Sequence, residues 1–445
     1  MRKINFTTAI FLYVLLLTTA IYSQQYKWKI LPNAPVSPAR FEDTYFIDPS
    51  TGWVIHNVDS NGVSLPNLYK TTDGGVSWIS LSDSSFGQAR SIGFANANTG
   101  WIGTYLFFRD TIGIYSTTNG GQSWYPQLVG SRADSLGICG LSVLNENYVF
   151  GCGTWYGPAK FYKTTNGGLN WTVKDMSAYA SRLIDCYFIS PDSGYLVGGI
   201  NTFDSSRGVV LFTSDGGETW VNKITTHNFK QWGWKISFPS RNIGYVSLER
   251  FGTTGGSYFL KTTDGGVTWS ENTVFSNLVL DQEGIGFANE TTGWLGGWWF
   301  NTYKTTNGGQ SWVSDPWGFN VNRFRFFGDT LGFAVGKHIY KYELDTTIGI
   351  HNISTGIPDS PELSQNYPNP FNPTTIIKFH VLDYEDTKLT VFDVLGREIA
   401  VLVNEKMYPG IYEYTFDASD LQSGVYFYRI ETLRYTETKR MVLVK

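Results

Sequence analysis

One octet, written six times, constrains this chain more than any other feature. It reads TTDGGVSW ending at Trp78, TTNGGQSW at Trp124, TTNGGLNW at Trp171, TSDGGETW at Trp220, TTDGGVTW at Trp269 and TTNGGQSW at Trp312. Successive tryptophans are 46, 47, 49, 49 and 43 residues apart. Gly-Gly after Asp or Asn supplies the positive φ values of a tight hairpin turn. The side chains of Asp73, Asn119, Asn166, Asp215, Asp264 and Asn307 are suited to accept hydrogen bonds from turn amides, and the tryptophan supplies an apolar wedge. These positions read as structural, not as catalytic or metal-binding groups.

That period is one four-stranded blade of a β-propeller. A second element recurs upstream of the octets, a Phe followed seven positions later by an aromatic preceded by Gly. It appears as Phe46/Trp53, Phe94/Trp101, Phe188/Tyr195, Phe238/Tyr245, Phe287/Trp294 and Phe326/Phe333. The third unit departs, with Val143 and Tyr148 only five apart and no Gly. There are therefore seven such units but six octets. The missing outer strand is offered by QYKWKIL near the front, with Trp28 fifty residues before Trp78. This strand is expected to complete the last blade, whose first three strands lie in 322–344, so that no edge is left unpaired. The fold class is thus all-β, a seven-bladed propeller over 24–345 closed by the N-terminal strand.

Composition agrees and narrows function. Charged and aromatic residues are each 16% of 445, and Gly numbers 48, which suits turn-rich β structure and not disorder. A net charge of −4 leaves no basic excess for nucleic acid. Arg2 and Lys3, the apolar run from Ala9 to Ala20 and small Ser23 read as a secretory signal over 1–23. No later segment is apolar enough to span a bilayer, so a soluble exported chain is expected. Three cysteines do not make a disulfide scaffold. Cys139 and Cys152 flank the turn at Asn145-Glu146, which leaves open either a cross-strand disulfide or two buried thiols.

After Asp345 the repeat stops. Residues 346–362 read as a linker, and 363–445 as alternating strands of a small Ig-like β-sandwich.

The octets resemble the Asp-box, or BNR, motif, whose box joins the third and fourth strands of a blade on the face opposite the ligand site. The count of seven resembles the photosystem assembly factors within the sialidase-like propellers, in architecture only. The tail resembles the type A C-terminal sorting domain of the type IX secretion system of Bacteroidetes-like bacteria. The matching residues are Pro368-Asn369-Pro370-Phe371-Asn372-Pro373, Val391 to Arg397, Leu421 with Ser423 to Tyr426, and Lys439-Arg440. That resemblance implies passage through the periplasm and handling by the type IX machinery. It also implies removal of the tail by a sortase-like protease, with the cargo released or attached to the outer surface.

Loop lengths point to one face. The connections between second and third strands, and between blades, vary, and in a propeller these share a face where binding resides. Polar and aromatic residues gather at the starts of the first strands: Arg40, Glu42, Asp43, Arg90, Arg182 and Asp185, then Trp232, Trp234, Lys235, Asp281, Glu283 and Arg323. Loops add Trp155, Tyr156, Trp298 and Trp299. Open rings beside carboxylates and arginines suit a glycan; the alternative is packed rings and solvated charges. Among Glu42, Asp43, Asp185, Asp281 and Glu283 an acid pair for glycoside hydrolysis is available. However, Arg40 lacks the sialidase-type surroundings, and no catalytic residue is assigned. The five His show no ligand spacing, so neither metal nor cofactor is expected. The expected role is non-catalytic binding of a polysaccharide or surface protein. The alternatives are a sialidase- or xyloglucanase-like glycoside hydrolase and a scaffold without a small ligand.

Overall fold

The computed structural model describes residues 26–37, 40–60, 63–81, 87–105, 113–127, 129, 137–153, 158–344, 350–354, 358–419 and 421–445. The expected signal over 1–23 and Trp155 and Tyr156 lie outside them. The chain divides into two compact units, Tyr26–Glu343 and a C-terminal one from Leu344. Among the described residues the one helix is a 3-10 turn, Phe203–Ser205, and no helix is long and apolar enough to cross a membrane.

Within Tyr26–Glu343 the strands form seven four-stranded antiparallel sheets. Their first strands are Phe41–Phe46, Ala89–Phe94, Gly140–Val143, Arg182–Phe188, Gln231–Ser237, Asp281–Phe287 and Arg323–Phe327, in sheets 1 to 7. Each packs against the first strand of the next sheet, and that of sheet 7 returns to sheet 1. Sheet 7 takes its outer strand, Tyr26–Ile30, from the front of the chain, beside Ile339–Leu344. Buried Trp28 anchors it, stacked on Trp317 at 4.4 Å and edge-on to Trp294 at 5.6 Å.

The Phe-to-aromatic element has a packing reason. The later aromatic lies against the Phe of the following sheet: Trp53 on Phe94 at 3.5 Å, Phe150 on Phe188 at 3.7 Å, and Tyr245 on Phe287 at 3.6 Å. Tyr195 meets Phe238 at 5.3 Å and Trp294 meets Phe326 at 5.8 Å. Phe333 stacks on Phe46 at 3.6 Å across the join of the two ends. The Gly before the aromatic is needed because its own sheet's Phe lies over it. A Cβ on Gly52 would stand 2.3 Å from the Phe46 ring.

This corrects the reading of the third unit. Its aromatic is Phe150, seven positions after Val143, not Tyr148. Val149 stands where the others have Gly, opposite Val143, because no Phe ring needs the space.

The octet turns are alike. Thr71 Oγ1 donates to Asp73 Oδ1 at 2.8 Å and accepts from Gly75 N at 2.9 Å, while Asp73 Oδ1 accepts from Ser77 N at 2.9 Å. Gly74 and Gly75 have φ of 70° and 92°. Gly74 N donates to Ser50 O, which ties the turn to the loop where the first strand ends.

The C-terminal unit is two four-stranded sheets around Leu363, Ile377, Phe379, Leu389, Val391 and Tyr428. Ile350–Ser354, in the run read as linker, pairs as a strand with Gly410–Asp417.

Candidate functional site

The site is built by an irregularity repeated around the ring. Five of the seven first strands carry a β-bulge near their start, between Phe41 and Asp43, Ala89 and Ser91, Leu183 and Asp185, Gly233 and Ile236, and Gln282 and Ile285. An extra residue bends a strand and re-aims a side chain. The bulged residues include Glu42, Arg90, Trp234 and Glu283, and these four line one cavity of about 190 Å³. Three more walls come from a single register position, four residues after the stacking aromatic of a second strand: Tyr105 in sheet 2, Glu249 in sheet 5 and Trp298 in sheet 6. Arg40 and Gln88 complete the lining. The cavity sits where first strands begin and the variable loops gather. The octet turns lie where those strands end.

Charges inside it are paired. Glu42 accepts from Arg90 and lies 3.5 Å from Arg40, and Glu283 accepts from Arg40. Burial pushes the Glu42 carboxyl up, but Arg40 and Arg90 together outweigh it and hold it below its ordinary value. The Arg40 guanidinium lies 3.7 Å over the Trp298 ring, and Arg90 donates to the Tyr105 hydroxyl at 3.0 Å. Glu249 differs. It is buried, its Oε2 has no hydrogen-bond partner, and burial, then Glu283 and Asp281, raise its carboxyl well above the usual range. Half-buried Asp281 is raised in the same sense by burial and Glu283.

One step deeper lies a separate network. Arg323 donates to Asp43 Oδ1 at 2.9 Å and to both oxygens of Asp185 at 3.0 and 3.1 Å. Asp43 also accepts from Ile92 N, and Asp185 from Ile236 N, each in another sheet. These three are structural struts and not an open site. Lys235 is buried beside them, and burial, then Arg323, lower its ammonium to about 8.

The open-ring expectation needs correction. Trp232 and Trp234 are buried, and Arg182 covers the Trp232 ring at 3.5 Å. Most of the charges are not solvated either: Arg40, Asp43, Arg90, Asp185, Glu283 and Arg323 are buried and paired and partly buried Glu42 is paired, while Lys235 is buried with no partner for its Nζ and Asp281 is half-buried. Among the described tryptophans of this set Trp299 alone is exposed, at 74%, with its ring 5.7 Å from that of Trp298. Its φ of 67° is a left-handed conformation held by a hydrogen bond from its N–H to Asn320 Oδ1 at 2.8 Å.

The disulfide expectation is also overturned. Cys139, Cys152 and Cys186 are buried thiols, and none is joined in a disulfide. The ladder pairs Gly140 with Cys152, so Cys139 sits one step off and the two side chains leave opposite faces of the sheet. Cys139 Sγ reaches the Tyr105 hydroxyl at 3.7 Å, while Cys152 packs with Cys186 of the next sheet.

Glu249 and Tyr105 were missed from the candidate list. Their signal is a shared offset in the second strands, four residues after the aromatic, which Trp298 also occupies.

Comparison with known proteins supplies two further findings. Residues 365–445 match the secretion system C-terminal sorting domain. The tail is therefore a type IX sorting domain, and the chain is one exported to the cell surface or released. Two solved structures of YCF48 share the fold. One, from Cyanidioschyzon merolae, is 18% identical over 71% of this chain and 98% of its own, with a TM-score of 0.52. The other, bound to D1 peptide, is 19% identical over 73% and 96%, with a TM-score of 0.51. A Paenibacillus xyloglucanase is 32% identical over 99 residues, 20% of this chain and only 9% of that enzyme's length.

Proposed function

We propose that this chain is a surface-displayed or released propeller that binds a polysaccharide, without cleaving it, at the loop-rich mouth of its ring. The observation that carries this is the cavity walled by Trp298, Trp234 and Tyr105, with paired carboxylates and guanidiniums, and with the exposed Trp299 ring 5.7 Å from that of Trp298. Paired charges still offer spare donors and acceptors to hydroxyl groups, and an open indole gives a sugar ring its apolar face a partner. Likeness to a stretch of xyloglucanase favours a glycan, while the peptide-bound YCF48 favours a peptide as the second reading. Hydrolysis is disfavoured because Glu42 and Glu283 are both held by guanidiniums, which weakens them as bases or nucleophiles. In this reading the signal over 1–23 starts export, and a sortase removes the tail once the outer membrane is crossed.

The test is calorimetric titration of the full chain with plant and microbial oligosaccharides, with peptides as the control. One class of oligosaccharide is expected to bind, Trp299→Ala is expected to weaken it about tenfold, and no new reducing ends are expected. Release of reducing sugar that disappears in Glu249→Gln would make this an enzyme. Binding of peptides but no oligosaccharide would overturn the glycan reading.

A further inference from the structure

The cavity contains one carboxyl that its surroundings leave unanswered. Arg40 and Arg90 are the two cations of its lining, and Glu42 and Glu283 engage both. Glu249 is the third carboxyl of the wall. It is 7% exposed, and its Oε2 meets no donor. Asp281, at the start of the neighbouring first strand, adds further negative charge. Within the lining two guanidiniums therefore face three carboxyls and Glu249 is the one neither of them bridges, while the further cation nearby, buried Lys235, acts on Glu42.

An ionised carboxylate left alone in a dry site is strongly disfavoured, so it keeps a proton until a cation arrives. Burial, then Glu283 and Asp281, raise the Glu249 carboxyl, and Arg40 and Arg90 only partly offset this. A metal ion is not indicated, since among the described residues no three His, Cys, Asp or Glu side chains are grouped to hold one. The remaining walls are Tyr105, Trp234 and Trp298, whose faces already carry guanidiniums, Arg40 3.7 Å over Trp298 and Arg90 5.7 Å and 5.8 Å from the Trp234 and Tyr105 rings, so what the cavity offers a further cation is the Glu249 carboxyl.

We propose that the cavity takes an ammonium group, carried by an amino sugar with a free amine, which pairs with Glu249 while neighbouring sugar rings lie along Trp299. The proposal rests on the glycan reading above and names its substrate class. The amine enters charged, and Glu249 gives its proton to solvent as the ion pair forms. No bond in the sugar is broken.

The experiment is calorimetric titration of the full chain, at mildly acid pH, with a fully deacetylated glucosamine hexamer in two buffers of different ionisation enthalpy. N-acetylglucosamine hexamer, cellohexaose and Nα-acetyl-lysine methylamide are run beside it. The glucosamine hexamer is expected to bind about tenfold or more tighter than the neutral hexamers, with release of about one proton. Glu249→Gln, checked for an unchanged far-ultraviolet spectrum and a melt no lower than that of wild type, is expected to lose both the preference and the proton release. Wild-type proton release reads the same point without relying on a variant. Neutral hexamers binding as tightly with no proton released would overturn the ammonium and leave the glycan reading standing. The lysine derivative binding while every sugar fails would overturn the glycan carrier and the reading beneath it. No binding by any of the four would overturn both.

Discussion

Asp73 and Glu249 are both carboxylic acids on loops or strand ends of one ring, and they behave in opposite ways. Asp73 lies in an exposed octet turn, where hydrogen bonds from Ser77 and Thr71 hold it near 2. Glu249 lies in the channel mouth, where burial and two like charges raise it. The octet carboxylate is answered by donors within four residues of itself, so it works the same way in every copy. The mouth carboxylates depend on partners from other sheets, 48 positions away for Glu42 with Arg90 and 243 for Arg40 with Glu283. Local satisfaction repeats; long-range satisfaction is made once.

The strongest way to break this contrast is to remove a long-range partner. Arg323→Met strands Asp43 and Asp185 in the channel, and about 3–5 kcal/mol of stability is expected to be lost in urea unfolding. A loss below about 1 kcal/mol would show that water reaches these groups and that they are not struts.

Next in size is the pH dependence of Glu249. Its folded pKa is raised, so as pH rises above about 4.3 the unfolded chain ionises and the fold does not. Stability from this group therefore falls with rising pH. Glu249→Gln is expected to gain on wild type steadily from pH 5 to pH 8, as read by denaturant midpoints. A constant offset between the two would mean the carboxyl ionises normally.

The octets predict the reverse sign. Asp73 and Asp264 sit near 2 and Asp215 lower still, each through hydrogen bonds from a Ser or Thr four residues on. Their stabilisation is present above the unfolded value of about 4 and is lost as pH falls from there toward 2. A variant with all three changed to Asn is expected to show a flatter acid limb in its melting temperature. An unchanged limb would place acid sensitivity elsewhere.

Smallest is Asp73→Asn alone at neutral pH. Asn119 already does this work, accepting from Ser123 N at 3.0 Å and donating to Ser123 Oγ at 2.7 Å. The change is expected to shift the melting temperature by about 1 °C or less. A loss several times larger would mean charge, and not hydrogen bonding, holds the turn.

These expectations also mark how far the fold and the site can be read from sequence. The octets, the Phe spacing and the borrowed strand at Trp28 were legible because each rests on contacts that recur at a fixed period. Tyr148 was read in place of Phe150 because Val149 stands where the other units mark their aromatic with a Gly. The charged residues at the first-strand starts were visible as a cluster. Their division into struts, Asp43, Asp185 and Arg323, and cavity wall, Glu42, Arg90 and Glu283, was not. A bulge shifts a side chain by one place, and alternation cannot foresee where the extra residue goes. The Cys139–Cys152 pairing failed for a different reason, a turn centred one half-step from its expected place.

The amino-acid order alone determined that the chain builds repeated four-stranded sheets, closes them with its own front end and carries a sorting tail. Each of those follows from local turn chemistry and short-range spacing. Which carboxyl is paired, which ring is open and where a cavity forms were decided only when seven sheets met around one axis. Burial and partnership across the ring are properties of that meeting, and no single repeat contains them.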